Sequence, residues 1–236
     1  MQNNDNKDYS GLEELLLAET MEKYNNFIVS TAIQNANETN QVVDFGAGIG
    51  TLSMIFRERY QVNPLCIEID ELNKEYLAKR NFSFFDSLES ISNNSDFIFS
   101  SNVLEHIEDD LSILKSMKNN LNQSGKIYLY LPAKMMLWSE LDQMVGHFRR
   151  YEPSEIRFKC EQVGLKVIKV HYVDCLGFFA SLLMRLIGYD AENGIGSIGS
   201  LKFYDRWLFP ISAFLDKIGC KFLFGKNLIL VAQKID

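Results

Sequence analysis

The sequence has little of what marks secreted, membrane-spanning or nucleic-acid-binding chains. Its 236 residues include only 4 cysteines, none in a C-x-x-C pair. No stretch reaches the roughly 18 apolar residues that a spanning helix needs. The start, MQNNDNKDYSGLEELL, lacks a basic segment followed by an apolar one, so no secretory signal is expected. Basic residues are also few: the net charge is -7, which argues against a nucleic-acid partner. We therefore expect reduced thiols and a cytoplasmic protein.

What the sequence does have is enough apolar material for one large domain, 47% of its residues. From residue 41 onward, short apolar runs alternate with helical patterns, which is typical of a mostly parallel sheet with helices on both faces. Asp70 and Pro153 are expected at the starts of two helices, and Gly164 closes the second of these. The strand candidates are QVVDF, PLCIEI, FSFF, DFIFSS, KIYLYL, LKVIKVHYV and NLILVAQ.

Two segments fall outside this alternation. Residues 1–40 are expected to form an N-terminal helical segment, and 41–236 the α/β domain. Within that domain, residues 176–226 are too long for an ordinary connection and predict a helical cap inserted before the last strand. The cap is rich in aromatic residues, carries more basic than acidic ones and contains the loop ENGIGSIGS. It suits a lid, a dimer interface or a peripheral membrane contact, or else the plain packing of a cap.

The strongest local motif is VVDFGAGIGT, residues 42–51, at the turn after the first strand. Small residues there let the backbone pass close beneath a ligand, next to the start of a helix; they are Gly46, Ala47, Gly48 and Gly50. Nicotinamide and flavin folds use a similar turn, but Thr51 stands where GxGxxG has its third glycine. Asp44 would repel a pyrophosphate, whereas it suits the ammonium group of S-adenosylmethionine.

Acidic residues follow the next two strands. Glu68 ends the second strand, where a carboxylate accepts both ribose hydroxyls of an adenosine. Ile69 is placed to form an apolar wall against adenine, and Asp86 to accept from the adenine amino group. Each carboxylate alone is as well explained by a helix cap or a solvated charge. Their order along the chain nevertheless predicts an adenosine site.

On DFGAGIGT, IEID, FFDS and SNVLEHIED, the sequence resembles the class I, Rossmann-like methyltransferases that depend on S-adenosylmethionine, over roughly residues 41–233. The resemblance implies a seven-stranded sheet whose last strand, here 227–233, runs antiparallel. It also implies S-adenosylmethionine as cofactor and S-adenosylhomocysteine as product. The residues implied to line that cofactor are Gly46 to Gly50, Glu68, Ile69, Asp86, Ser87, Ser101, Asn102 and Val103.

Three side chains are candidates for taking a proton from the acceptor: His106, His147 and Tyr151. His106 lies in LEH, where a structural role is more common, and the adjacent Glu105 has the same standing. His147 and Tyr151 belong to VGHFRRY, residues 145–151, in a loop past the fifth strand. A similar GHxRRY stretch occurs in methyltransferase-like proteins of bacterial cell-surface glycan clusters.

The same stretch carries two adjacent arginines. One of Arg149 and Arg150 is expected to bind a phosphate or carboxylate of the acceptor, while the other pairs with Asp142 or Glu152. The alternative is a solvated basic turn. Tyr24 is assigned to acceptor binding as well, and no metal ligands are expected.

Together these features predict transfer of a methyl group to an oxygen or nitrogen atom of a small-molecule, glycan-linked or lipid-linked acceptor that carries an acidic group. Two alternatives remain open. One is an aminopropyl transferase on the same fold, which needs paired carboxylates to hold a polyamine. The other is a non-catalytic cofactor-binding protein.

Overall fold

The computed structural model describes residues 11–36, 40–91, 94–187 and 197–235. Within them, seven strands form one sheet: β1 (Val42–Phe45), β2 (Leu65–Ile67), β3 (Phe84–Phe85), β4 (Ser95–Ser101), β5 (Leu121–Pro132), β6 (Leu165–Val173) and β7 (Asn227–Lys234). The strand order is β3-β2-β1-β4-β5-β7-β6. Strands β1 to β5 pair in parallel, whereas β7 is antiparallel to both β5 and β6. The expected Rossmann-like sheet with an antiparallel last strand is confirmed.

Helices flank the strands: α1 (Leu12–Glu19), α2 (Glu22–Ile33), α3 (Thr51–Tyr60), α4 (Glu71–Lys79), α5 (Asp110–Asn120), α6 (Glu140–Met144), α7 (Pro153–Gln162), α8 (Cys175–Ile187), α9 (Ile198–Phe203) and α10 (Phe209–Lys217). Their expected boundary signals are confirmed. The Asp70 carboxylate accepts from the Asn73 backbone N–H at 3.0 Å and so caps α4. Pro153 is in the first turn of α7, and Gly164 follows that helix with φ 82°.

Both faces of the sheet are buried. On one face, β1, β4 and β5 pack against α5 and α7 through residues such as Val43, Ile98 and Leu129. On the other, alternate residues of the same strands, such as Val42 and Phe99, pack against α2, α3 and α10. Because side chains alternate across a strand, burial on both faces explains the nearly continuous apolar runs of β1 and β5.

The segment expected to form a cap contains α8, α9 and α10, and a single π-helical turn, Tyr204–Leu208, joins α9 to α10. Residues 1–10 and most of ENGIGSIGS lie outside the described residues. Two buried carboxylates fasten the segment to α2 and to the end of β6. Asp205 accepts from the backbone N–H groups of Lys23 and Tyr24 at the start of α2, and Asp216 accepts from that of Asp174. No helix in the described ranges is long and apolar enough to cross a membrane.

Candidate active site

The glycine turn between β1 and α3 is closely packed from below. The backbone N–H groups of Gly46 and Ala47 donate to the Ile67 carbonyl at 2.9 and 3.0 Å, which ties the turn to the end of β2. A β carbon on Gly46 would lie only 2.3 Å from a methyl group of Val103, just after β4. Glycine is therefore required there both by its φ of 76° and by this contact.

Glu68 braces the same turn. Its buried carboxylate accepts three backbone hydrogen bonds, from Gly48 at 2.7 Å, Ile69 at 2.8 Å and Asp70 at 2.9 Å. A carboxylate has about four acceptor positions, so at most about one remains for a ribose hydroxyl. Glu68 thus lies where the sequence predicts, and it also holds the shape of the loop.

Asp44 lies buried at the end of β1, and its carboxylate accepts from the Ser53 hydroxyl at 2.7 Å. Burial raises the pKa of Asp44 to about 7, and the neighbouring Glu68 adds to the rise. A cation bound beside this carboxylate would favour its ionised form. The position therefore fits an ammonium ligand better than an anion.

The other predicted cofactor residues lie at the carboxyl ends of β2, β3 and β4. Ile69 is 75% exposed, an open apolar surface directly after Glu68. Asp86 is exposed and forms an ion pair with Lys74, and the Ser87 hydroxyl lies 3.2 Å from that of Ser90. Ser101 and Asn102 follow β4, where the backbone N–H of Asn102 donates to the Tyr130 carbonyl at 2.8 Å. A ligand must thus compete with Lys74 for Asp86, whereas the Ile69 side chain is free.

Helix α1 covers this site, and no local pattern of the sequence predicts this contact. The Leu15 side chain lies 3.2 Å from where a β carbon on Gly48 would be. Glu19 accepts from the Thr51 hydroxyl at 3.2 Å and from Arg80 at 2.8 Å. Helix α1 has no fully buried residue, and the Asn25 side chain also donates to its Ala18 carbonyl at 2.9 Å.

Beside the cofactor turn, His106 and His147 meet. Their rings contact edge to face, with centroids 4.5 Å apart. His147 Nδ1 lies 2.8 Å from an Asp142 carboxylate oxygen, and its Nε2 lies 3.9 Å from Glu105 Oε1. Protein packed around His106, together with the neighbouring His147, lowers the pKa of His106 to about 4. Both candidate bases are thus present in one cluster.

Glu105 is the unexpected member of this cluster. It is fully buried, and neither carboxylate oxygen has a hydrogen-bond partner among the described residues. Burial raises its pKa to about 8, despite the nearby positive charge of Arg150. A buried carboxyl group without a partner is rare and marks the place as more than core packing.

Both arginines of VGHFRRY have acidic partners. Arg150 is buried and grips Asp142 with two hydrogen bonds, of 2.8 and 3.0 Å, which is one of the pairings the sequence predicts. Burial alone would raise the pKa of Asp142, but hydrogen bonds from His147 and Arg150 lower it to about 2. Arg149 binds Asp110 at 2.8 Å. An acidic group on the acceptor would have to displace one of these carboxylates.

Two other expected roles are not supported. Tyr151 is fully buried and donates to Asp110 at 2.8 Å, and burial strongly raises its pKa, so it is badly placed to act as a base. Tyr24 is buried between α2 and the sheet, where its hydroxyl accepts from Tyr130 at 2.9 Å and from Asn227. Its polar tip satisfies a core network, so it is not available to an acceptor.

Comparison with known proteins gives a consistent picture. Residues 17–170 match the family model described as a methyltransferase domain, whereas no curated protein matches the chain by sequence. A methyltransferase from Archaeoglobus fulgidus, described as dependent on S-adenosylmethionine, aligns with a TM-score of 0.60 at 17% identity, over 89% of this chain and 92% of that one.

Two further solved structures are similar. A Thermotoga maritima protein, described as a possible histamine N-methyltransferase, aligns with a TM-score of 0.61 at 13% identity, over 96% of this chain and 98% of that one. Phosphoethanolamine N-methyltransferase 2 of Haemonchus contortus, in complex with S-adenosylmethionine, aligns with a TM-score of 0.57 at 18% identity, over 88% of this chain and 52% of that one. At identities this low, these similarities support the fold alone.

Proposed function

We propose an acceptor for this chain, which belongs to the methyltransferase domain family and is an S-adenosylmethionine-dependent methyltransferase. The acceptor is an oxygen or nitrogen atom on a lipid-linked molecule at a membrane surface. The observation that carries the acceptor class is the outer surface of α8, α9 and α10, which combines exposed apolar stripes with exposed charges of one sign. A glycan carried on such a lipid suits the expected acceptor class.

We place the cofactor along the carboxyl ends of β1, β2 and β3. Its amino acid end lies at Asp44 and the glycine turn, its ribose at Glu68, and its adenine between Ile69 and Asp86. Ser87, Ser101 and Asn102 complete the lining. Transfer from a sulfonium needs an aligned nucleophile about 3 Å from the methyl carbon and exclusion of water, and helix α1 is positioned to exclude it.

Glu68→Ala tests this placement. The substitution removes the carboxylate that joins three backbone N–H groups to the ligand, so S-adenosylmethionine affinity should fall by more than tenfold. Glu75→Ala, which removes an exposed carboxylate of α4 that pairs with Lys79, is the control and should keep wild-type affinity. Calorimetric titration of both folded variants decides the matter, and an unchanged affinity in Glu68→Ala would refute the site.

The acceptor side is apolar. Four side chains around the loop after β5 are about half exposed, namely Met135, Met136, Met144 and Phe148. Arg185 of α8 donates a hydrogen bond to the Met136 carbonyl, so the inserted helices meet this loop. Flexible methionines beside an aromatic ring suit an apolar ligand of variable shape. The proposed acceptor therefore needs no acidic group, because both arginines hold carboxylates of the protein itself.

The inserted helices carry continuous apolar stripes. In α8, exposed residues recur at steps of four and three; they are Phe179, Leu183 and Leu186. From α9 through α10 they recur at steps of four, four, three and four; they are Phe203, Trp207, Ile211, Phe214 and Ile218. Each stripe follows one side of its helix. Exposed apolar surface of this extent marks an interaction site rather than a solvated face.

The charges beside these stripes favour an anionic membrane over a protein partner. The two acidic residues of the described helices, Asp205 and Asp216, are buried and engaged by backbone N–H groups. The basic residues there are exposed; they are Arg185, Lys202, Arg206 and Lys217. Basic residues that flank aromatic and aliphatic ones are typical of helices that lie in a lipid headgroup layer.

Vesicle binding tests the membrane contact. The wild-type protein should sediment with phosphatidylglycerol-containing vesicles, less so at high salt, and poorly with phosphatidylcholine alone. Trp207→Ser combined with Phe214→Ser should weaken binding by about tenfold or more. Phe158→Ser, at a 66% exposed aromatic of α7, is the matched control and should bind as the wild type does. No vesicle binding by the wild type, with a dimer in sedimentation, would assign the stripes to self-association.

Methyl transfer itself separates the remaining alternatives. Incubation with S-adenosylmethionine labelled in its methyl group and a cytoplasmic-membrane lipid extract should transfer label to the lipid fraction. An aminopropyl transferase needs free paired carboxylates, whereas Asp110 and Asp142 already hold arginines. Absence of label from every fraction, with cofactor binding intact, would favour a non-catalytic binding protein. The four free thiols support the cytoplasmic side of the membrane as the place of action.

A further inference from the structure

Glu105, His106 and His147 form a cluster that the cofactor site does not use. Each offers one atom to a common centre, and these atoms lie within 4.8 Å of one another. They come from two segments: the 3₁₀ turn after β4 contributes two, and VGHFRRY contributes the third. We propose that this cluster binds one divalent transition-metal ion, with Zn²⁺ as its best fit.

His147 has both a free donor atom and a partner that orients its ring. His147 Nδ1 is held by Asp142 at 2.8 Å, which leaves Nε2 directed toward Glu105. The His106 ring lies against the His147 ring and next to the Val145 backbone. A carboxylate or carbonyl behind a histidine is the usual outer shell of a metal site, because it fixes the ring and strengthens the ligand.

Glu105 supplies the independent sign of a missing ligand. Its carboxylate is fully buried, and neither oxygen has a hydrogen-bond partner in the described part of the chain. His147 Nε2 lies 3.9 Å from Glu105 Oε1, too far for a hydrogen bond. Ligand atoms of a tetrahedral zinc ion are about 3.3 Å apart, so a small inward movement of the side chains would place an ion between them.

The donor set decides the class of ion. Two imidazole nitrogens and one carboxylate oxygen suit Zn²⁺, and also Co²⁺, Ni²⁺ and Fe²⁺, whereas Mg²⁺ and Ca²⁺ prefer oxygen donors throughout. Three protein ligands leave a fourth position open, which is the pattern of catalytic rather than structural zinc sites.

The place of the cluster suggests what fills that fourth position. Glu105 comes two residues after Val103, the residue that packs beneath Gly46 of the cofactor turn. The exposed Phe148, whose backbone N–H donates to the Glu105 carbonyl at 2.7 Å, lies on the outer side. An acceptor hydroxyl bound to the ion would lose its proton to water more readily, and its oxygen would then attack the methyl carbon as the bond to the sulfonium sulfur breaks and S-adenosylhomocysteine leaves. This last role rests on the proposed function, whereas metal binding does not.

Metal titration of the chelator-treated full-length protein tests the site without any acceptor. We expect one Zn²⁺ per chain by calorimetry, and Co²⁺ should give the visible d–d bands of a four- or five-coordinate ion. His106→Ala and His147→Ala should each weaken Zn²⁺ binding by a hundredfold or more, and Glu105→Gln by tenfold or more. Circular dichroism shows whether each variant is folded, and Glu105→Gln keeps the shape of the side chain.

Two controls separate this cluster from adventitious binding. His171 is the remaining histidine of the sequence and lies on β6 with its Nδ1 near the Tyr172 carbonyl, and Cys220 is the least buried thiol. His171→Ala and Cys220→Ser should bind Zn²⁺ as the wild type does. The proposal is overturned if the wild type binds no Zn²⁺ or Co²⁺, or if the two controls lose as much affinity as His147→Ala. Loss of S-adenosylmethionine binding in Glu68→Ala would be a separate result, since Glu68 is not in the cluster.

Discussion

The cofactor turn and the VGHFRRY region lie at the same edge of the sheet, yet different bonds hold them. In the turn, the Glu68 carboxylate accepts hydrogen bonds from three backbone N–H groups, and the most distant of these, that of Gly48, is 20 residues away in sequence. In the VGHFRRY region, side chains hold side chains, for example Tyr151 and Asp110, 41 residues apart. The first region therefore depends on backbone shape and the second on buried charge. Substitutions in the turn should therefore destabilise the protein through steric strain, and substitutions in the VGHFRRY region by leaving a buried charge unpaired.

Gly46→Ala should be the most damaging change. The new methyl group would lie 2.3 and 2.8 Å from Val103, in addition to the cost of a positive φ. Strain of roughly 1 kcal/mol and overpacking of about 1–3 kcal/mol predict a loss of about 3 kcal/mol in the free energy of unfolding. Urea unfolding measures it.

Gly146 provides a matched control from the other region. Its φ is 75°, against 76° for Gly46, but a β carbon there would meet nothing within 4 Å. Gly146→Ala should therefore cost only about 1 kcal/mol. Adding Val103→Ala to Gly46→Ala should recover part of the loss. Equal losses for the two glycines would show that the turn is not closely packed.

Arg150→Met should destabilise the VGHFRRY region by about 2–3 kcal/mol, because it leaves the buried Asp142 carboxylate without its bidentate partner. Arg149→Met should cost about 1 kcal/mol or less, since Lys159 and Tyr151 still hold Asp110. Thermal unfolding at neutral pH compares the two. A larger loss for Arg149→Met would reverse the assignment of the central ion pair.

The ion pair of Arg150 with Asp142 also makes the stability of the protein depend on pH in the acid range. The pKa of Asp142 is lowered to about 2 in the folded protein, from near 4 in an unfolded chain. Its contribution to stability is thus present above about pH 4 and lost as the pH falls toward 2. Arg150→Met should flatten this part of the stability profile, because the pKa of Asp142 then returns toward its value in the unfolded chain.

Asp44→Asn should change how cofactor affinity depends on pH. Since the pKa of Asp44 is raised to about 7, most of it is protonated at pH 5.5 and about half is ionised at pH 7. Binding of a cationic ammonium group requires the ionised form, so wild-type affinity should rise about fifteenfold over this range. Asp44→Asn should show no such rise. A rise of equal size in the variant would place the ammonium elsewhere.

Stability without ligand should move in the opposite direction. An unfolded Asp44 ionises near pH 4, whereas the folded one keeps its proton to about pH 7. The free energy of the unfolded state therefore falls relative to that of the folded state as the pH rises between these values, and stability falls. Measured on the same protein, the opposite slopes of binding and unfolding separate Asp44 from other titrating groups.

How far the sequence could predict each region follows from the same contrast. The sheet and the positions of Gly46 and Glu68 follow from short motifs, because adjacent strand ends must meet at one edge, whereas the antiparallel β7 was implied by the family resemblance. The pairing of Arg150 with Asp142 was within reach, since the two are 8 residues apart. The burial of individual side chains could not be predicted in this way.

The failures have a physical cause. Tyr24 and Tyr151 read as polar residues suited to a site, but each donates or accepts within a buried network that spans more than 40 residues of sequence. The closeness of Glu105 to His147, 42 residues later, likewise depends on how the loop after β5 folds back over β4. Such partners are brought together only by the tertiary fold, so no local sequence pattern predicts them.

Ile69→Thr should give the smallest effect and the most specific one. Its side chain is 75% exposed, and its backbone N–H, which binds Glu68, is untouched by the substitution, so the free energy of unfolding should stay within about 0.5 kcal/mol of wild type. An adenine packed on this side chain would lose apolar contact worth about 1 kcal/mol, a fall of about fivefold in affinity. Ile168→Thr, on β6 and 48% exposed, is the same chemical change away from the site and should leave affinity as it was. Calorimetric titration of the three proteins resolves a fivefold difference. If Ile69→Thr binds S-adenosylmethionine as tightly as Ile168→Thr does, the adenine lies elsewhere, and the cofactor turn would then be a braced loop whose ligand contacts end at the ribose.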